Sequence, residues 1–523
     1  MVRQPLRLFQ NLVAYQTRKT FSVLAVCGFV TFVGGVRVLQ EWALGGPPIT
    51  QPLASLYGFV VFYFTTFFVF AAIVSALVQG DWRHTINPVF VGVFLGLLPP
   101  LIDYFADGRP QFFYFYNFNF PKGFSIWLYD ADAGTPMGET VALWLTVVFT
   151  GAYVGERTRR LGRALAGAAL AYLALVTLGA LLPTAIDLAA RALGVGPFKG
   201  FLLTLAQLAL ALAGYFVLRP TVLVRLARRC LHTLPFVIIC LVGAAWSGSL
   251  APEAFVYAAL VGLLFAVALV QNDHHDAEDD ARAGRTPYAD AEDARFFSVL
   301  GALLVLALLA ETSSATALPF AVILALSFLY SYPFYRAKRH FPANLKIEGA
   351  FGASAFLVGL IATSERAVLG GPAWDTLETC APNCKVVAGP LPPESIAALL
   401  LVFCGFSLIA ALKDHKDVEA DSAAGVTTLY TLALRRGWPL RRMHRTIVAL
   451  SCVALLLPLP LLATIGRVSW LACALPLPLV ALVAVVSLRA RAARTFGATL
   501  WLVTGVLATL LLALLWGPSG VRA

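Results

Sequence analysis

The chain has 523 residues, of which 59% are hydrophobic and only 13% charged, with a formal net charge of +11. A mean hydropathy of +0.79 excludes an ordinary soluble enzyme of this length, and repeated apolar runs of about 20 residues read as an all-α polytopic membrane protein. The basic excess fits loops on one side of a membrane rather than a basic face on a soluble domain, so no nucleic-acid partner is expected.

Residues 1–20 are basic and modestly amphipathic (Arg3, Arg7, Arg18, Lys19) and read as a cytoplasmic, surface-lying start. No A-x-A-like site follows the first apolar run, which argues against a removed signal peptide. Spans are expected at about 21–40, 54–79, 88–104, 140–155, 161–183 and 199–218. Pro99 and Pro100 predict a kink or a re-entrant turn in the third. The aromatic stretch from Phe112 to Phe120 reads as an interfacial belt or flap, with a lipid-recognition surface as the alternative.

The basic, proline-containing segment Arg219–Arg229 is the expected domain boundary. It separates an N-terminal membrane domain of about six helices (1–225) from a C-terminal one of about nine (226–523). The later spans are expected at about 234–249, 253–271, 295–311, 316–333, 347–364, 394–412, 444–464, 468–488 and 496–516, giving about fifteen in all.

With the N-terminus in the cytoplasm, alternation puts the basic clusters Arg157–Arg163, Arg219–Arg229, Arg336–Arg339, Arg435–Arg445 and Arg489–Arg494 inside. The chain is then a multi-pass protein of a bacterial-type inner membrane with its C-terminus outside. Cys380 and Cys384 fall outside too, where a disulfide is expected and a C-x-x-x-C metal half-site is the alternative. The other six of the eight cysteines lie in or beside apolar runs, as small buried hydrophobes do.

Two acidic stretches organise the C-terminal half. Asn272–Asp280 reads N-D-H-H-D-A-E-D-D, and Lys413–Asp421 reads K-D-H-K-D-V-E-A-D. In each, three aspartates fall at i, i+3 and i+7: Asp273, Asp276 and Asp280, then Asp414, Asp417 and Asp421. On a continuous helix that spacing stacks all three carboxylates on one face. Both motifs follow a long apolar run and are expected in the cytoplasm. Converging carboxylates at the mouth of a membrane bundle need a counter-charge. Hard oxygen donors, with Asn272 adding a neutral one, select Mg²⁺ or Ca²⁺, and a diphosphate bridging two acidic faces through metal fits them. Arg282, Arg285, Arg336, Lys338, Arg339, Lys346 and Lys413 are the candidate cationic clamps. His274, His275 and His415 point off the carboxylate face and read as supporting residues rather than zinc ligands.

Three segments carry a family resemblance. They are N-D-x-x-D-x-x-x-D after the second span of the half, Y-S-Y-P-F-Y-R-A-K-R (Tyr330–Arg339) after the fourth, and K-D-x-x-D-x-x-x-D followed by G-V-T-T-L (Gly425–Leu429) after the sixth. Residues 226–520 thereby resemble the UbiA-type intramembrane prenyltransferase superfamily. The resemblance implies a nine-helix bundle around a lipid-open chamber, capped by the motifs. It implies a prenyltransferase that moves a prenyl group from a polyprenyl diphosphate to an acceptor, with Mg²⁺ as cofactor. Carried over by position, Asn272, Asp273, Asp276, Asp280, Asp414, Asp417 and Asp421 would hold the metal, the six aspartates being catalytic. Arg285, Arg336, Lys338, Arg339 and Lys413 would face the diphosphate, and Tyr330 and Tyr332 would line the chamber and steady an allylic cation. Two departures stand out. Gly284–Asp293 (G-R-T-P-Y-A-D-A-E-D) interrupts the family's Arg-Pro-x-x-Ser-Gly element, and residues 1–225 lie outside its pattern. The acceptor therefore stays open between an aromatic quinone precursor and a lipid-like alcohol.

The competing class is a divalent-cation transporter or channel, which predicts carboxylates near the bilayer midplane. Here the acids sit at helix ends beside Arg and Lys, which repel a permeating cation. A CDP-alcohol phosphotransferase needs D-G-x-x-A-R, and D-D-A-R at Asp279–Arg282 lacks it.

Overall fold

The computed structural model describes residues 22–44, 52–80, 87–107, 137–192, 199–229, 232–247, 250, 252–277, 281, 289–311, 314–332, 335–364, 391–415, 418–423, 425–464, 468–489 and 493–515. These are helical almost throughout, and their one β-type pairing is an isolated bridge between His340 and Thr427. A lipid-facing backbone must satisfy its polar groups internally, and the helix does so segment by segment. Among the described residues, thirteen helices are long and apolar enough to cross a membrane. Two further apolar helices, Leu234–Trp246 and Thr316–Ser331, stand where spans were expected but are shorter, so thirteen meet the length requirement rather than about fifteen. The chain divides into two compact units, Met1–Leu223 and Val224–Ala523.

The first unit contains α1 (Val23–Ala43), α2 (Pro52–Val78), α3 (Asn87–Leu95), α4 (Leu98–Asp107), α5 (Met137–Thr158), α6 (Leu161–Val176), α7 (Leu182–Ala192) and α8 (Lys199–Leu218). A π-helical turn, Thr177–Leu181, joins α6 to α7. Helix α2 packs along α1 and α8, and α5 along α6. The expected kink in the third span is a full break at Gly96 and Leu97, just ahead of the two prolines. Pro99 and Pro100 then sit in the first turn of α4, where a missing N–H costs nothing. The break leaves the Gly96 carbonyl open, and it accepts from Arg37 Nη1 at 2.6 Å and from the Tyr63 hydroxyl at 3.2 Å. Arg37 is fully buried and its Nε donates to Glu41 at 2.8 Å. Asp103, also fully buried, accepts from the Gly138 N–H at 2.6 Å. The aromatic stretch Phe112–Phe120 lies outside the described residues.

Helix α9 (Pro220–Arg229) carries the basic segment. The second unit continues with α10 (Leu234–Trp246), α11 (Pro252–His275), α12 (Ala291–Glu311), α13 (Ser314–Ser331), α14 (Ala343–Ser364) and α15 (Pro393–Asp414). After these come α16 (Val418–Ala423), α17 (Leu429–Arg435), α18 (Leu440–Leu456), α19 (Pro458–Thr464), α20 (Leu477–Arg489) and α21 (Ala493–Leu515). Helix α14 is central, packed on α10, α13 and α15. It meets α10 through paired glycines: a Cβ at Gly359 would run into the Cys240 carbonyl, and one at Gly243 into that of Phe356. Small residues at a membrane-helix crossing permit this backbone approach.

Candidate active site

The first acidic motif begins in the last turn of α11. Asp273 lies in its last turn, 5% exposed, and pairs with Arg229 Nη1. Asn272 Oδ1 receives Lys338 Nζ at 3.1 Å and Ser331 Oγ at 3.5 Å. Asp276, whose N–H closes on the Asn272 carbonyl at 2.9 Å, pairs with Lys338 and, at 3.4 Å, with Arg336. Arg336 Nη2 also donates to the His275 carbonyl. Two cations thus cap the negative end of a helix dipole while neutralising a motif carboxylate.

Those cations arrive because the chain turns sharply after α13. Arg336 adopts a left-handed backbone, φ 48°, and starts the short 3₁₀ turn Ala337–Arg339. A non-glycine residue there carries strain that surrounding contacts must hold in place. The side chain of Lys338 is only 13% exposed. Burial, with the neighbouring cations Lys413 and Arg339, pulls its ammonium down to about 7, against the opposite pull of Asp273 and Asp421.

The described part of the second motif spans two helices: α15 ends at Asp414, and Asp421 belongs to α16. Asp414 Oδ2 accepts from Asn344 Nδ2 at 3.0 Å. The G-V-T-T-L segment then has a role for each of its polar positions. Gly425 makes a left-handed turn (φ 71°) that lets Val426 N–H reach the Asp421 carbonyl at 2.8 Å. Thr427 N–H donates to the Arg339 carbonyl at 2.9 Å, tying the second motif to the cationic segment. Thr428 opens α17 with a capping box to Thr431.

Two of the motif histidines pack against aromatic rings. His275 packs edge-on against Tyr332, ring centroids 5.0 Å apart. His415 stacks on His444 at 3.8 Å. His444 Nε2 lies 2.9 Å from the Ser487 carbonyl, which only accepts, so Nε2 carries the proton and Nδ1 accepts from the Tyr430 hydroxyl at 2.8 Å. Burial lowers the His415 pKa, with His444 adding to the effect.

The structure therefore brings Asn272, Asp276, Arg336 and Lys338 together. It gives Asp273 to Arg229 and Asp414 to Asn344. Lys413 turns aside: its ammonium lies 3.7 Å from Glu348 and 5.9 Å from the Tyr330 ring centroid. Tyr332 is 44% exposed, whereas Tyr330 sits beside Phe351 with ring centroids 6.4 Å apart. Arg339 contributes the backbone tie to Thr427. Asp280, Arg282, Arg285, Cys380, Cys384 and Asp417 lie outside the described residues. Sequence reasoning missed Arg229, Asn344 and Glu348. Each is distant in the chain from its partner and stands in no motif; only its polarity at the end of an apolar run could have marked it.

Among the described residues, no three His, Cys, Asp or Glu stand together as a metal site. The oxygens of Asn272, Asp276, Asp414 and Asn344 are all carboxylate or amide oxygens, the kind a hard divalent ion takes. Asn344 is 4% exposed, and its Oδ1 is buried without a hydrogen-bond partner on the same amide that holds Asp414. The donor set fits Mg²⁺.

Beneath the rim the wall becomes aromatic. Phe236 stacks on Phe265 (3.6 Å) and lies 5.1 Å from Phe406, and Phe265 lies 5.1 Å from Phe351. Further along is an apolar pocket lined by Ile239, Val242, Phe356, Phe406, Leu455 and Leu507 among others.

Residues 289–504 match the UbiA prenyltransferase family. The match begins beyond the first acidic motif and includes the second. No curated protein matches the chain. Among solved structures, a UbiA homolog from Archaeoglobus fulgidus bound to DMAPP and Mg²⁺ is 13% identical, covering 55% of this chain and 96% of that one, with a TM-score of 0.38.

Proposed function

We propose that the C-terminal unit, which carries the match to the UbiA prenyltransferase family, transfers a prenyl group from a polyprenyl diphosphate to a membrane-soluble or amphipathic acceptor. The acceptor is an aromatic quinone precursor or a lipid-like alcohol. One observation carries this reading: acidic and cationic groups alternate around one rim, Asn272 and Asp276 with Lys338 and Arg336, above an apolar, aromatic interior. Such a rim suits a ligand that is itself an anion accompanied by metal. A permeating cation would meet Lys338 and Arg336 first, which disfavours the transporter reading.

Asn272, Asp273, Asp276, Asp280, Asp414, Asp417 and Asp421 would hold Mg²⁺, with Asn344 beside Asp414. When bound, the ion neutralises charge that builds on the leaving diphosphate. Lys338 and Arg336, with Arg285 and Arg339, bind the diphosphate oxygens, and the released Asp276 carboxylate becomes a donor to the ion. Lys338 and Arg336 are in place before the allylic C–O bond breaks, so little reorganisation is needed as charge develops. Tyr330 and Phe351 turn π-surface toward the allylic carbon, and the apolar cavity accommodates the chain and excludes water. Both motifs would face the cytoplasm. The N-terminal unit would be an accessory bundle that delivers or receives lipid, or an anchoring appendage.

The test uses membranes containing the full chain, a labelled polyprenyl diphosphate and a panel of acceptors. Labelled product is expected with Mg²⁺ and is expected to vanish with chelator, with Asp273→Asn and with Asp417→Asn. Product that survives all three would remove the motifs from the reaction.

A further inference from the structure

Helix α14 presents three unlike residues in sequence: Asn344, Glu348 and Phe351. They stand at i, i+4 and i+7, on one face of one helix. Asn344 is at the rim, holding Asp414. Phe351 is in the aromatic wall, against Tyr330 and Phe265. Glu348 lies between them, roughly one helical turn, about 6 Å, below the metal-side groups. It belongs to neither acidic motif, and its side chain is 20% exposed.

A carboxylate at this depth is costly unless something answers it. The answer is Lys413, 3.7 Å away, which also lies over the Tyr330 ring. The pair is neutral overall, so it offers no net charge to an anionic acceptor. It offers a carboxylate oxygen to a hydroxyl, at the level where the donor's reactive carbon would pass from polar rim to aromatic wall. Lys413, in turn, is engaged here and not at the diphosphate.

Resting on the prenyl-transfer reading, we propose that Glu348 is the general base of the acceptor half-reaction and that the acceptor presents a hydroxyl, phenolic or alcoholic, to it. The balance is simple. The allylic C–O bond of the donor breaks and its electron pair leaves with the diphosphate. The acceptor's O–H proton passes to a Glu348 carboxylate oxygen, and the electron pair so freed supplies the new bond to the allylic carbon. Lys413 and Tyr330 hold Glu348 in position, and the motif aspartates are left to metal and diphosphate.

The experiment uses the purified full chain in lipid nanodiscs, a C20 allylic diphosphate with Mg²⁺, and phenol and alcohol acceptors. Glu348→Gln keeps shape and loses the proton-accepting charge. It is expected to slow transfer by at least about 100-fold, the usual contribution of a positioned base. Binding of a thiolo-diphosphate donor analogue should stay within about threefold of wild type, because the donor side is untouched. Glu348→Asp should transfer faster than Glu348→Gln. Wild-type transfer by Glu348→Gln would overturn the proposal. So would loss of analogue binding together with transfer, which would mark Glu348 as a structural strut. So would equal rates for the Asp and Gln variants. If the wild type gives no product with any acceptor, the prenyl-transfer reading itself falls, a failure read on wild type alone, and the base goes with it.

Discussion

Lys338 illustrates what burial does to a single charge. Its ammonium is held near 7 by desolvation and by Lys413 and Arg339, well below the 10.5 of a free lysine. Between these values the unfolded chain binds a proton that the folded chain does not, so folding stability rises with pH across that window and falls as pH drops toward 7. In chelator-treated protein, thermal midpoints are expected to climb from pH 7 to 10, and Lys338→Met is expected to flatten that slope. A slope unchanged by the substitution would assign it to another group. Arg229 poses a different case, a cation paired with a buried motif carboxylate. Arg229→Ala removes that ion pair with Asp273 and should destabilise the protein by about 0.5–3 kcal/mol, measurable as a lowered unfolding temperature in detergent. The aspartates and Lys338 were legible in the sequence because type and spacing announce them. Arg229 was legible only as a boundary charge, since nothing local says that a side chain 44 residues upstream reaches Asp273.

At the scale of elements, apolar run length placed nearly every helix, but breaks within helices follow from needs that run length does not encode. Helix α15 ends at Asp414 and the last aspartate of the motif, Asp421, lies in α16, a division that apolar run length alone does not show. The third span breaks at Gly96, and the freed carbonyl is met by a buried arginine two helices away. Sequence showed the prolines; it did not show that Arg37 and Tyr63 would cover the gap. The α10–α14 crossing is likewise silent in the sequence, for Gly243 and Gly359 read as ordinary small residues in apolar runs. Gly359→Ala places a methyl group against the Cys240 carbonyl, and backbone does not yield as a side chain tip does. A loss of about 1–3 kcal/mol or more is expected. Thermal unfolding in detergent would show it, and an unchanged midpoint would mean that the helices separate freely.

For the molecule as a whole, two compact units divide within the basic segment Arg219–Arg229. Charge asymmetry of the loops predicts which way they thread the membrane. In a background with the native cysteines replaced, an impermeant maleimide should label Ala423→Cys from the cytoplasmic side and Leu391→Cys from the other. Labelling of both from one side would refute the threading. Composition pointed to a membrane protein, and two motifs suggested the chemistry proposed for one unit. The first unit offered no comparable signature: Arg37 pairs with Glu41 one turn along the same helix, and the buried Asp103 is a lone carboxylate on another helix whose partner, the Gly138 N–H, is met only after the chain has folded.

The bond from Thr427 N–H to the Arg339 carbonyl joins the two banks of the site through main chain alone. Main chain is common to every residue, so the identities of residues 339 and 427 are free to drift without loosening this fastening. The fastening is inherited with the path of the chain and leaves no mark that a comparison of side chains would detect. Proline at 427, which has no N–H to give, is the one natural replacement that would cut it.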